Sequence, residues 1–167
     1  MEIKTKSLED TKRLAQHFAK CIDNSGLFVT LTGDIGAGKT QFIRYVLEQL
    51  DVKEKITSPS FVILNEYNCS KFPVYHFDLY RLEQNGLKSI VSELREYSRE
   101  GVLTFIEWAE FAHDEIPDNA LKINVEYDDN NVDIRIFKFS GAYLNFLNDF
   151  KKRIDNDKYF SNVLGSK

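Results

Sequence analysis

A chain of 167 residues with 43% apolar side chains has the length of one globular domain, and folding at this size buries roughly 70% of the unfolded surface. A formal charge of −4 argues against a long non-specific nucleic-acid surface, which needs clustered Lys and Arg; no DNA partner is expected, and any RNA is expected to be held by a partner protein. The two cysteines, Cys21 and Cys69, are too few for a disulfide framework and lack C-x-x-C spacing, and no stretch resembles a signal peptide or approaches bilayer length, so reduced thiols, a cytoplasmic location and no membrane contact are expected.

After a short extended segment at Ile3 to Lys6, Ser7 with Asp10 three residues later reads as a capping box. Leu8, Thr11, Ala15, Phe18, Ala19 and Ile22 then keep helical spacing, predicting a helix that ends before Gly26. LFVTLT, Leu27 to Thr32, is short, apolar and β-branched, as suits a strand covered on both faces. Eight residues break that pattern, and Phe42, Ile43, Val46, Leu47 and Leu50 resume helical spacing. FVILNEY (Phe61 to Tyr67) and VYHFDLY (Val74 to Tyr80) flank a polar NCSK and read as a hairpin. A helix is predicted near Leu87 to Tyr97, then a strand at VLTFI, Val102 to Ile106, whose end places Glu107 and Trp108 at the edge or rim of the sheet. LKINVEY and VDIRIFKF bracket the turn DDNN as a second hairpin. Leu144, Leu147, Phe150 and Ile154 mark a last amphipathic helix, followed by a frayed tail from 155 to 167. The pattern is a single α/β domain over 1–154, a mixed sheet with antiparallel hairpins and helices on both faces.

Gly33-Asp34-Ile35-Gly36-Ala37-Gly38-Lys39-Thr40 fits G-x-x-x-x-G-K-[ST] at every fixed position, and it lies between an apolar strand and a helix, where such a loop works. Glycine opens backbone conformations closed to other residues, so successive N–H groups can converge on phosphate oxygens at the positive end of the next helix. In this pattern Lys39 reaches the β and γ phosphates of ATP and the Thr40 hydroxyl coordinates Mg²⁺.

Such a site also needs a carboxylate near the metal, usually at the end of a neighbouring strand. Glu107 after VLTFI and Asp78 after VYHF both qualify, against the blander alternatives of a surface ion pair for Glu107 and a turn cap for Asp78. His76 shares a strand face with Asp78 and suits a buried hydrogen-bonded role as well as a ligand role. Arg81 stands ready for a phosphate or for Asp78, and Trp108 for a contact surface or simple core filling. Thr57, Ser58 and Ser60 surround Pro59 in a loop that either senses a γ-phosphate or merely caps a turn.

Taken together, GDIGAGKT, TSPSF, HFDLYR and IEW resemble, in order and separation, the signature segments of the bacterial TsaE family of tRNA-modification factors, over Ser7 to about Phe139. The resemblance implies a P-loop ATPase that works with TsaB and TsaD in forming threonylcarbamoyladenosine on tRNA, resetting their complex without itself transferring the threonylcarbamoyl group. Carried onto matching positions, it implies that Lys39 binds phosphate, that Thr40 and Glu107 ligate Mg²⁺, and that Asp78 supports the metal or the attacking water. It further implies a switch-like loop at Thr57 and Ser58, Trp108 beside the nucleotide, and Thr11 near the adenine ring. Gln41 stands where the family often has a second Thr, and LEQNGLKSIVSELREY lacks the family's Leu-Gly pattern.

A small-molecule kinase is the main rival from the residues alone; it would need an acceptor pocket and an Arg-bearing lid, for which Arg95 and Arg99 are the candidates. A nucleotide-gated binding module with incidental hydrolysis is the non-enzymatic rival. No N-K-x-D segment and no D-x-x-G switch follows the second strand, which argues against a GTPase.

Overall fold

In the computed structural model, which describes residues 1–57, 59, 63–82, 94 and 96–160, strand β1 (Glu2–Thr5) leads into helix α1 (Leu8–Ala19), strand β2 (Gly26–Thr32) and helix α2 (Lys39–Gln49). The hairpin β3 (Leu64–Asn68) and β4 (Pro73–Asp78) follows, then β5 (Val102–Glu107), the hairpin β6 (Leu121–Asp128) and β7 (Asn131–Gly141), and helix α3 (Leu144–Asp155). All seven strands join one sheet in the order β1-β7-β6-β2-β5-β4-β3. The central four, β6, β2, β5 and β4, run parallel, and the outer pairings are antiparallel. The mixed α/β sheet with its two hairpins matches the expectation from alternation and turn signals.

The capping box forms as read. Ser7 Oγ accepts from the Asp10 N–H at 3.1 Å, while the Asp10 side chain reaches back to the Lys6 N–H, one residue before the cap, at 2.7 Å. The buried stripe of α1, Leu14, Ala15 and Phe18, packs against Phe42, Ile43 and Val46 of α2 and Phe150 of α3 on one face of the sheet. There Phe18 meets Phe42 and Phe150 edge-on, with centroids 5.3 and 5.5 Å apart, an arrangement worth more than area burial alone. A second, smaller core of Phe28, Phe77, Leu79 and Ile106 lies on the opposite face. Among the described residues it is covered by short 3₁₀ segments, Glu96–Ser98 and Ala109–Glu115. Most of the helix expected near Leu87 to Tyr97 lies outside the described residues, as do Phe61 and Val62 at the start of the expected first hairpin strand.

One expectation sharpens and another changes. Glu107 ends β5 at the carboxyl rim of the sheet as read, but β5 is an inner strand of the parallel set and Glu107 is only 2% exposed. The apolar run VLTFI already carried the reason, since a strand with no polar alternation must be covered on both faces. The segment after α3 is packed as far as Phe160, which is fully buried against the α1 face. Asp157 supplies the anchor: Arg13 donates to it through Nε at 2.6 Å and Nη2 at 2.8 Å, and His17 Nε2 lies 2.7 Å away. Tyr159 adds a hydrogen bond from its hydroxyl to Asp10 at 2.5 Å. A tail read as polar and frayed is thus clasped to α1 by residues 140 or so positions earlier, a pairing that local pattern does not reveal. Among the described residues no helix is long and apolar enough to cross a membrane.

Candidate functional site

The parallel register brings β2, β4 and β5 to an end at the same edge of the sheet: Asp78 stands opposite Glu107, and Leu31 opposite Glu107 on the other side. In open parallel sheets this carboxyl edge is where ligands bind. The loop Gly33 to Gly38 rises from it between β2 and α2. Gly33 has φ of +121°, and a Cβ there would lie 2.0 Å from the Val125 carbonyl oxygen, so only glycine allows the loop to leave the sheet this close to β6. Gly38, at φ +106°, turns the chain into α2 with open space around it, and no side chain caps the first amides of α2.

Within the loop, Ala37 is buried in the core and contributes through its backbone, whose N–H donates to the Asp34 carbonyl at 3.2 Å. Ile35 is the opposite, 66% exposed at the tip, with its carbonyl accepting from the Tyr127 hydroxyl at 3.1 Å. Lys39 is buried, and its Nζ donates to the carbonyls of Gly33 at 2.6 Å and Asp34 at 2.9 Å. The same ammonium lies 3.9 Å from the centre of the Trp108 ring. Burial pushes the Lys39 ammonium below its ordinary value, opposed by the negative charges of Glu107, Glu110, Asp78 and Asp34. Trp108 reaches this place through a left-handed backbone turn, φ 60°, directly after β5, and its ring stacks on Phe111.

Thr40, first turn of α2, places Oγ1 2.8 Å from both carboxylate oxygens of Glu107. On its buried side Glu107 Oε1 meets His76 Nε2 at 2.8 Å. Asp78 is buried at the end of β4, and its Oδ1 accepts from the Tyr80 N–H at 3.1 Å, so the turn-capping reading holds for one oxygen while the residue also lines the cleft. The cleft, about 690 Å³, is lined by Lys39, Thr40, Asp78, Arg81, Glu107 and Trp108 among others. Thr57 lies on its wall, its carbonyl accepting from Asn65 Nδ2 at 3.0 Å and the Tyr67 hydroxyl at 3.1 Å; Ser58 lies outside the described residues.

Across the glycine loop a second cleft of about 440 Å³ shares Gly36, Gly38 and Gln41 with the first. Thr11 lines it, with Oγ1 3.1 Å from Thr5 Oγ1 and 3.2 Å from the Ser7 carbonyl. The structure therefore gathers Lys39, Thr40, Asp78, Glu107 and Trp108 in one cleft and puts Thr11 beyond the loop, with Gln41 between. Three residues of the first cleft, Arg44, Ile56 and Tyr80, escaped the reading of the sequence. Arg44 lines the first cleft because it follows Thr40 by four positions on α2, a spacing that puts both on one helix face and was legible in principle.

The donor set bears on which ion fits. Among the described residues no three His, Cys, Asp or Glu side chains converge as a metal cage. Thr40 and Glu107 offer hard oxygens beside an anion cradle, which suits Mg²⁺, an ion usually held by one or two protein oxygens together with substrate phosphates.

A mixed α/β sheet whose carboxyl edge carries a glycine loop, a buried lysine and a hydroxyl–carboxylate pair defines the class. Residues 5–136 match the family model for threonylcarbamoyl adenosine biosynthesis protein TsaE, and the chain belongs to that family. It is similar to the tRNA threonylcarbamoyladenosine biosynthesis protein TsaE of Bacillus subtilis, 35% identical over 123 residues, 74% of this chain and 75% of the relative. To that of Aquifex aeolicus it is 34% identical over 139 residues, 82% of this chain and 96% of the relative. The crystal structure of Bacillus subtilis YdiB superposes with a TM-score of 0.73 at 28% identity, covering 92% of this chain and 95% of that one. The family role in tRNA threonylcarbamoyladenosine biosynthesis follows.

Proposed function

We propose that this chain is a Mg²⁺-dependent ATPase that acts with TsaB and TsaD in forming threonylcarbamoyladenosine on tRNA, without itself transferring the threonylcarbamoyl group. The observation that carries the reading is the 2.8 Å approach of the Thr40 hydroxyl to Glu107 beside a buried Lys39, at the mouth of a left-handed glycine loop. The loop amides and Lys39 bind the β and γ phosphates, Lys39 exchanging the Gly33 and Asp34 carbonyls for phosphate oxygens. Thr40 and Glu107 hold Mg²⁺, which when bound neutralises charge on the phosphate oxygens. Asp78 orients the attacking water from the neighbouring strand, and Trp108 packs beside Lys39 and keeps water from its ammonium. Thr11 and Gln41 lie on the cleft beyond the loop, where the nucleoside end has room. Thr57, on the cleft wall, and its neighbour in sequence Ser58 supply the nucleotide-sensing segment.

Turnover is expected to be feeble alone and stimulated by the partners, since a supplied arginine raises phosphoryl transfer by about 10³ to 10⁵ in related systems. ATP hydrolysis measured with and without the TsaB–TsaD pair tests this: unchanged turnover would sink the partner assignment. Lys39→Ala should weaken ATP binding at least ~10-fold, from loss of charge-assisted contacts to the phosphates. Equal affinity of the variant and the wild type, read by calorimetry, would remove Lys39 from the phosphate site. Transfer of labelled γ-phosphate to a metabolite in a substrate panel would favour the kinase alternative instead.

A further inference from the structure

Building on the nucleotide-site reading above, we propose that His76 is a positioning residue that holds the Glu107 carboxylate on the Thr40 hydroxyl, donating as the Nε2–H tautomer, and thereby sets how tightly the site retains a divalent cation. His76 is fully buried on β4, two residues before Asp78, so both point from the same face of the strand. Its Nε2 lies 2.8 Å from Glu107 Oε1, on the side of the carboxylate away from the cleft, and Thr40 Oγ1 lies 2.8 Å from each oxygen. Glu107 thus has one oxygen tied between an imidazole and a hydroxyl and the other tied by the hydroxyl alone.

The tautomer follows from the two ring nitrogens together. Among the described residues, Nδ1 of His76 is the buried side-chain polar atom without a hydrogen-bond partner. Either a donor or an acceptor left unsatisfied there costs ~1–3 kcal/mol, so the contact made by Nε2 decides the tautomer. The 2.8 Å contact of Nε2 with a carboxylate oxygen calls for a proton on Nε2, since two lone pairs would otherwise face each other, and the Nε2–H tautomer leaves only a lone pair at Nδ1. A leucine or phenylalanine would fill the same volume without an orphaned atom, and the bond to Glu107 offsets the cost of burying the imidazole. Partners of this kind orient a metal-binding carboxylate, and their loss typically weakens metal affinity 10- to 100-fold.

Two measurements test it. The chain has three histidines, so protein carrying ¹⁵N-histidine gives a resolvable long-range ¹H–¹⁵N spectrum, with His76 assigned by its disappearance in His76→Gln. His76 should show the Nε2–H pattern without nucleotide or metal; an Nδ1–H or doubly protonated pattern overturns the proposal. The second reads the Mg²⁺ concentration that half-maximally tightens binding of a non-hydrolysable ATP analogue. His76→Leu should raise it by about tenfold or more. His76→Gln, which restores an amide donor near the Nε2 position, should stay within about threefold of wild type. All three proteins should bind the analogue equally in EDTA. Leu and Gln variants that behave alike would overturn the proposal, since packing and not donation would then matter. If the wild type binds no nucleotide in EDTA or Mg²⁺, the nucleotide-site reading fails and the cation role with it, while the tautomer spectrum still decides the His76–Glu107 bond. Should His76→Leu fail to fold, the spectrum of the wild type carries the test.

Discussion

Asp157 and Glu107 are both buried carboxylates with a histidine Nε2 close to one oxygen, 2.7 Å for His17 and 2.8 Å for His76. Their other partners differ. Asp157 takes a two-pronged guanidinium from Arg13 and a backbone N–H from Tyr159, and Arg13 above all holds its carboxyl down at about 2. Glu107 takes a hydroxyl and an imidazole, and the hydroxyl can turn toward an incoming cation while the imidazole keeps the carboxylate in place. A carboxylate whose charge is matched by a guanidinium fastens the fold. One held only by donors such as these keeps its charge available to a ligand, and it lies at the cleft where the glycine loop ends.

That contrast can be broken most sharply at Glu107. Glu107→Ala should cut Mg²⁺-dependent turnover ~100-fold or more, as removal of one group that stabilises developing charge does, while leaving nucleotide binding in EDTA intact. Normal turnover with Mg²⁺ would show that Glu107 is as structural as Asp157. Next comes the clasped tail. Phe160→Ala empties a fully buried site and should cost ~3 kcal/mol or more, lowering the melting temperature by about 6–12 °C with turnover per folded molecule unchanged. A melting temperature equal to wild type would return the tail to the frayed state that its polar composition suggests.

The smallest effect is expected at Asp157 itself, because Arg13 is nearly half exposed and its pairing is screened. Asp157→Asn should lower stability by ~1 kcal/mol near neutral pH, about 2–4 °C in melting temperature. The sign of its pH dependence follows from the direction of the shift. The folded carboxyl sits at about 2, below its ordinary value of 3.8, so its contribution is complete above that value and is lost as pH falls toward 2. The gap between wild type and Asp157→Asn should therefore close between pH 5 and pH 2. A gap that stays constant over that range would mean that the clasp does not depend on the charge of Asp157.

Elements with a local period were legible from the residues: the capping box at Ser7, the apolar strands, the two hairpins and the strand–glycine loop–helix order all depend on neighbours within a few positions. The loop spacing that sets Lys39 and Thr40 at the cleft was also legible, because a loop that must approach β6 as closely as Gly33 does tolerates no side chain there. The pairing register was not local. It brought Asp78 beside Glu107, buried Glu107 at the end of an inner strand, and set His76 behind it. Nor was the clasp, in which Arg13 and His17 find Asp157 across more than 130 positions. Side-chain periodicity records which face of an element is buried and nothing about which distant face covers it. Those partners are selected only when the strands take their order and the apolar faces close, since burial is what makes each carboxylate demand its particular donors.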